Sequence, residues 1–374
     1  MRIAFIGCKG IGFNGGVENV VRELSTQLAV RGNNVTVFGR KKYSKILGYL
    51  NGVNTVNTFS IESKRLGQIT STFTSLIKAS ITSNYDLIHV HSFVNVSLLW
   101  IPKLFRKKTI LTIHGLEWRI NKWSKFDKKI LKFLLIFARY IPDEITSVSL
   151  LDALLLSKIL KRKVEYIPNG INLPVKSETN VSTYFNLENN QYLLWVGRFS
   201  YQKGIEYLID AFKEVNTTQK LVLVGYQYDS DEFYNEILKK SKGDERIIFL
   251  GSRNGDELNV LYSNAYIVIH PSETESNSLV TLESLAFGNC LLASDIPGIR
   301  NVAKEKAYYF KPKDVKSLKE IMQLLINNPN MVEEKRSTAR RHIIENFLWD
   351  DIIIQYEKIY HYTLKEGKNE SSIS

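Results

Sequence analysis

The chain has 374 residues, 44% hydrophobic and 24% charged, with a net charge of +12; that length holds two domains of ordinary size, and the composition excludes disordered and fibrous classes. The positive excess is confined to one half: residues 1–174 carry 26 Lys and Arg against 10 Asp and Glu, whereas 175–374 carry 24 against 28. The first half is therefore the part expected to meet an anionic partner. Two cysteines, Cys8 and Cys290, are too few for a disulfide framework, and neither has the Cys or His neighbours of a zinc site.

The chain opens on Ile3 to Gly7, which reads as a buried strand and is too short and wrongly flanked for a secretory signal. A helix follows from about Val17, with Val17, Val20, Val21, Leu24 and Leu28 at helical period and Arg31-Gly32 as its stop. Further strands are predicted at Val35 to Phe38, Leu87 to Val90, Thr109 to Ile113 and Glu144 to Val148. Strands alternating with helical patterns predict a parallel sheet with crossover helices. The longest nearly uncharged apolar run, Phe133 to Ala138, falls far short of the roughly 20 residues that cross a bilayer, so a cytoplasmic location is expected.

Between the halves, Pro168-Asn-Gly-Ile-Asn-Leu-Pro174 and the polar stretch after it have turn chemistry and no periodicity, and 175–185 is predicted to be a linker. The alternation restarts at Tyr192 to Gly197, Leu221 to Gly225, Ile247 to Gly251, Tyr266 to His270 and Cys290 to Ala293. The expected organisation is a doubly wound α/β domain over 1–174, a second over 186–345, a final helix over 346–364 and a frayed tail over 365–374.

Two segments carry chemistry. Gly197-Arg-Phe-Ser-Tyr-Gln-Lys203-Gly204 follows an apolar strand and precedes a helical pattern, at the sheet edge where open α/β sheets bind ligands. Arg198 as a planar fork and Lys203 as a point charge can hold a diphosphate there; a solvated basic loop is the alternative. In His270-Pro-Ser-Glu-Thr-Glu275-Ser-Asn-Ser-Leu-Val-Thr-Leu-Glu283 a helix is predicted to start near Ser278, leaving the amides of Ser278, Leu279 and Val280 for a phosphate. Glu275 before the helix and Glu283 within it can accept hydrogen bonds from sugar and ribose hydroxyls. For Glu283 the alternative is an exposed helix residue.

The G-R-x-x-x-x-K-G loop and the E-x₇-E segment, in this order, resemble the retaining glycosyltransferases of family 4, which have the GT-B fold. The resemblance extends to Ile167-Pro-Asn-Gly-Ile, Phe249-Leu-Gly, Ala286-Phe-Gly with Ala293-Ser, and the closing aromatic helix around Trp349. It implies two Rossmann-like domains facing a cleft, the first for the acceptor and the second for the nucleotide-sugar, with the last helix returning to the first. By this resemblance Arg198 and Lys203 hold the diphosphate, Glu275 the donor sugar and Glu283 the ribose. Gly15 and Gly16 of the glycine-rich Gly10-Ile-Gly-Phe-Asn-Gly15-Gly16-Val-Glu segment, Arg253, Asn277 and the amides of Ser278, Leu279 and Val280 complete the donor set. The family's E-G-F-G reads Glu275-Ser-Asn-Ser278 here, and Asn277 in place of an aromatic leaves the donor sugar open. His114, in His114-Gly-Leu-Glu-Trp-Arg119, is expected beside the donor sugar at the reacting face; a buried structural histidine is its alternative. The string around it also resembles a bacterial rhamnosyltransferase-like subgroup.

The resemblance implies transfer of a hexosyl or deoxyhexosyl group from a nucleotide-sugar to a saccharide or lipid-linked hydroxyl, in the assembly of cell-surface polysaccharide, glycolipid or glycoprotein glycan. No metal or other cofactor is expected, because the basic side chains Arg198 and Lys203 can themselves neutralise a diphosphate. Another GT-B sugar enzyme, a phosphorylase or epimerase, and a non-catalytic nucleotide-sugar binder are the rival classes. Gly10, Gly12 and Gly15 also satisfy a dinucleotide fingerprint, but the ribose carboxylate that should follow is replaced by Gly39-Arg-Lys-Lys. Finally, 103–139 interleaves eleven Lys and Arg with Trp118, Trp123, Phe126, Leu131, Phe133, Leu134 and Phe137. That pattern suits an anionic membrane surface, peripheral at the inner face of the plasma membrane, or a core-packed helix with a solvated face; no nucleic-acid motif accompanies it.

Overall fold

A computed structural model describes the chain except residues 14, 44–47, 64–65, 82–84, 92, 117, 119–123, 228–229 and 372–374. The described residues form two compact units, one of Met1–Gly170 with Trp349–Ser374 and one of Ile171–Leu348.

The first unit holds an eight-stranded sheet: β1 (Arg2–Ile6), β2 (Asn34–Arg40), β3 (Gly48–Leu50), β4 (Val53–Thr58), β5 (Leu87–Val90), β6 (Lys108–Ile113), β7 (Glu144–Ser147) and β8 (Glu165–Tyr166). Their order is β3-β4-β2-β1-β5-β6-β7-β8, and only the β3–β4 pair is antiparallel. Helices cover the faces of a parallel sheet, so its strands read as continuous apolar runs; Ile3, Ala4, Phe5 and Ile6 of β1 are all fully buried. The strand order reverses direction at β1, between β2 and β5, which directs the ends of β1 and β5 into a crevice.

Two elements depart from expectation. Strands β3 and β4 form a hairpin closed by Asn51 (φ 49) and Gly52 (φ 79), the two-residue turn whose left-handed pair suits strand twist. The last helix spans Trp349–Ser371, past Lys365 where a frayed tail was expected, and 372–374 of that tail lie outside the described residues. Ile352, Ile353, Tyr356 and Tyr360 of this helix are buried in the first unit, so the final helix returns to the first domain. Gly170 allows the return, since a Cβ there would stand 2.6 Å from the Trp349 ring.

The second unit is a six-stranded, all-parallel sheet of β9 (Tyr192–Phe199), β10 (Lys220–Gln227), β11 (Ile247–Gly251), β12 (Ile267–His270), β13 (Leu291–Ser294) and β14 (Ala307–Phe310), ordered β11-β10-β9-β12-β13-β14. This is the doubly wound order with its switch point between β9 and β12. Trp195, Tyr192 and Phe199 of β9 are buried in the cores on its two faces. Residues 175–185, expected as a linker, belong to this unit. Val181 and Phe185 enter its core, Asn259 donates to the Val175 carbonyl at 2.9 Å, and Ser177 N–H donates to Ser263 Oγ at 2.9 Å. Two apolar side chains in a polar stretch suffice to dock it.

Candidate nucleotide-sugar site

The site is built from the carboxyl ends of β9 and β12. Strand β9 runs through Phe199, so Gly197 and Arg198 are strand residues rather than loop, with Arg198 in register with Tyr226 of β10. A short turn, Tyr201–Lys203, then leads into helix Ile205–Lys213 through Gly204 at φ +61. Gly204 is required twice over: that φ is left-handed, and a Cβ would stand 2.0 Å from the Pro271 carbonyl oxygen. The close approach is locked by Glu273 N–H donating to the Gln202 carbonyl at 2.8 Å. It brings together two residues far apart in sequence, and Lys203 Nζ donates to Glu275 Oε1.

His270, the last residue of β12, is fully buried beneath this pair. Its Nε2 lies 3.3 Å from Glu275 Oε1 and 3.0 Å from Ser278 Oγ. Burial opposes the Glu275 charge, but the Lys203 ammonium and the His270 hydrogen bond outweigh it and hold the carboxyl well below the usual carboxylate range. Burial pulls the His270 imidazole down, against the pull of Glu275. Gly298, in helix Pro297–Ala303, backs the same segment, because a Cβ on it would stand 2.0 Å from the Glu275 carbonyl oxygen.

Helix Leu279–Ala286 starts where the sequence predicts, capped by Ser278 Oγ, which accepts from Thr281 N–H at 3.2 Å. The Leu279 and Val280 amides belong to the turn that has no intrahelical acceptors, and the helix end carries partial positive charge. Asn277 is buried just before the cap. Glu283 lies one turn in, where Tyr262 OH donates to its Oε2 at 2.9 Å. Burial raises its carboxyl to about 7, with the Tyr262 hydrogen bond and Lys203 opposing. Tyr262 is itself held by stacking on Phe287, ring centroids 5.0 Å apart at 8°.

The remaining predicted residues fall elsewhere. Arg253 follows β11, the edge strand, where it pairs with Glu257 at 3.6 Å and lies over the Phe185 ring at 5.6 Å. In the first unit Gly15 caps helix Gly16–Val30; a Cβ on it would stand 2.2 Å from Glu18 Oε2, while one on Gly16 would meet nothing within 4 Å. Glu18 is buried and accepts the Lys9 N–H at 3.0 Å, which gives Gly15 a structural duty beside any ligand. His114 directly follows β6, partly exposed, with its Nε2 2.9 Å from His91 Nδ1. Burial lowers its imidazole to about 4.

Sequence reasoning missed His270, His91, Tyr262 and Gly298. His270 stood at the end of a predicted strand and was given no role, and Tyr262 carried no motif signal of its own. Of the basic segment, Glu117, Arg119, Lys122 and Trp123 lie outside the described residues. No cluster of three or more His, Cys, Asp or Glu that could hold a metal ion occurs among the described residues.

Comparison with known proteins accounts for nearly the full length. Residues 14–174 match the family described as Glycosyltransferase Family 4, and 178–342 match Glycosyl transferases group 1. The O-antigen chain mannosyltransferase C of Escherichia coli is 26% identical over 374 residues, covering 95% of this chain and 96% of its own. Sucrose-phosphate synthase from Thermosynechococcus elongatus superposes with a TM-score of 0.84 at 22% identity, covering 98% of this chain and 99% of that one. Anabaena HepE, solved with UDP and glucose, gives 0.82 at 18%, covering 97% and 100%.

Proposed function

The chain belongs to glycosyltransferase family 4 and has the GT-B fold, and from that premise we propose that it transfers a glycosyl group from a nucleotide-sugar to a hydroxyl acceptor with retention of anomeric configuration and without a metal ion. The observation that carries the reading is the Lys203–Glu275–His270–Ser278 constellation at the switch point of the second sheet. Lys203, Arg198 and the Leu279 and Val280 amides stabilise the charge that develops on the leaving diphosphate. Glu275, held ionised, accepts hydrogen bonds from hydroxyls of the donor sugar, and Glu283 accepts from the ribose with the oxygen that Tyr262 leaves open. The departing phosphate takes the proton of the acceptor hydroxyl, so no protein base is assigned. His114 contacts the sugar as a neutral imidazole.

The HepE structure was solved with UDP, which makes a UDP-sugar the first donor to test, with GDP- and dTDP-sugars beside it. Nucleotide release is measured with and without a saccharide or lipid-linked acceptor, and the anomeric configuration of the product by NMR. Arg198→Ala and Lys203→Ala are expected to lose roughly 2 to 4 kcal/mol of transition-state stabilisation. Rates within about twofold of wild type would overturn the diphosphate assignment. Transfer without an acceptor favours the phosphorylase or epimerase class, and donor binding without nucleotide release favours a binder. Activity that survives chelation by EDTA supports metal independence.

An anionic membrane surface is the acceptor environment that the first unit suits. Helix Lys125–Tyr140 is fixed at its start by a capping box between Ser124 and Asp127. Phe126, Ile130, Phe133 and Tyr140, spaced along one face, are 71%, 45%, 58% and 70% exposed, flanked by Lys125, Lys128, Lys129 and Lys132. Leu131, Leu134 and Ala138 on the other face are buried, so the core-packed reading accounts for one face only. Peripheral attachment at the inner leaflet follows. Flotation with anionic but not neutral liposomes is expected, and it should be lost when the four lysines become Gln.

A further inference from the structure

Three histidines gather at the ends of β5 and β6. Phe5 of β1 stacks on His91 at 5.4 Å, His89 and His91 ring centroids are 4.1 Å apart, and His91 stacks on His114 at 5.2 Å. Both nitrogens of His89 have partners, Nδ1 with Tyr360 OH at 2.8 Å and Nε2 with Thr112 Oγ1 at 2.6 Å. His91 differs. It is 3% exposed, its Nδ1 meets His114 Nε2 at 2.9 Å, and its Nε2 is buried with no partner among the described residues.

That orphan nitrogen decides the tautomers. A neutral imidazole has one N–H and one bare nitrogen. Were the proton of His91 on Nε2, a donor would be buried with nothing to accept it, and orphaned buried N–H groups are the rarer and costlier kind. With the proton on Nδ1, the orphan is a bare acceptor and the N–H is used on His114 Nε2. His114 Nε2 is then the acceptor, so the proton of His114 must be on Nδ1. His114 is partly exposed, and Nδ1 is the nitrogen that this pairing leaves for a ligand.

We propose that His91 is a positioning residue for the transfer reaction: its Nδ1–H holds His114 in the Nδ1–H tautomer, so that His114 presents a neutral N–H donor to an oxygen of the bound nucleotide-sugar. The ligand side of this proposal rests on the function proposed above; the tautomer side does not. A sugar nucleotide offers hydroxyl and phosphate oxygens as acceptors, which the opposite tautomer could not serve.

The test is two-bond ¹H–¹⁵N correlation on the full chain with ¹⁵N-labelled histidine and no ligand, alongside transfer kinetics. Expected is a protonated Nδ1 and bare Nε2 on His114, lost as a single tautomer in His91→Phe, which keeps the ring but has no donor, with transfer down about tenfold. In His91→Asn the amide N–H stands where Nδ1–H stood, so the tautomer is kept and transfer recovers to within about threefold of wild type. A proton on His114 Nε2 in the wild type, or a His114 tautomer unchanged in His91→Phe, overturns the proposal. The wild-type spectrum decides the point even if the Phe variant does not fold. A wild type with the expected tautomer and no transfer to any acceptor sinks the proposed function and leaves the pairing standing.

Discussion

Gly298→Ala is the substitution that most directly tests how the donor site is held. Alanine is about 1 kcal/mol better than glycine inside a helix, so in open space this change would stabilise helix Pro297–Ala303. Here the new Cβ would stand 2.0 Å from the Glu275 carbonyl oxygen, 2.4 Å from its carbon and 3.0 Å from Ser276 N. The first gap must open to the 3.4 Å of ordinary contact, so backbone has to move by more than an ångström. Overpacking of this kind costs about 1–3 kcal/mol, which reverses the sign of the helix preference. Glu275 is the part that gives, because it lies in a loop, and its carboxylate is carried off Lys203 and His270. A displacement of about 1 Å in a positioning group costs roughly 100-fold in rate. The assay is transfer rate at saturating donor, with thermal unfolding on the same samples. A variant as stable as wild type and within about twofold of its rate would refute the reasoning.

Three more outcomes follow from the same geometry. Lys203→Met removes the larger support of the depressed Glu275 carboxyl; that support is fully present above the ordinary carboxylate range and is lost as pH falls below that range and through the depressed value. The variant should therefore be less stable than wild type at pH 7, by roughly 3–5 kcal/mol, and converge with it only well below about pH 4, where the depressed carboxyl is itself protonated, as read by calorimetry across pH. For Glu283 the sign is opposite: its carboxyl is raised to about 7 by burial, so ionising it costs stability as pH rises through that value. Nucleoside diphosphate should bind more tightly over the same rise, by titration calorimetry, and Glu283→Gln should flatten the dependence and raise the melting temperature at pH 8. Tyr360→Phe leaves His89 Nδ1 without its 2.8 Å partner, and urea unfolding of the first unit should show a loss of about 1–3 kcal/mol.

The parts of the fold that were legible are those where burial on both faces writes an unbroken apolar run. β1, β9, β10 and β12 are largely of that kind, and their spacing along the chain points to the doubly wound class. The hairpin of β3 and β4 was missed although Asn51-Gly52 is a strong hairpin turn. Val53–Thr58 alternates Val with Asn and Thr, and that polar content hid a strand lying toward the sheet edge. The segment 175–185 failed for a similar reason, since Val181 and Phe185 are the two apolar side chains it sends into the core, set among polar neighbours. β14, Ala-Tyr-Tyr-Phe, is short and follows directly on basic residues, with no period long enough to identify it.

The site was legible as a set of residue types and illegible as a geometry, and the difference has a physical source. Spacing along a chain can say that Ser278 starts a helix and that Glu283 lies one turn on, because both are local facts. It cannot say that Lys203 meets Glu275, which are 72 residues apart; that pairing exists because Gly204 lets one loop press on Pro271 of another, and because Gly298 leaves room behind Glu275. The chemistry follows from the placement. In the second unit a buried histidine, His270, stands under a carboxylate and a lysine, so the strand end is charged. In the first unit the equivalent strand ends carry His91 and His114 with no carboxylate bonded to either among the described residues, so burial keeps them neutral and leaves them to act as hydrogen-bonding groups. One sheet edge is thereby charged and the other neutral, a local division that total charge per half, +16 against −4, does not reveal.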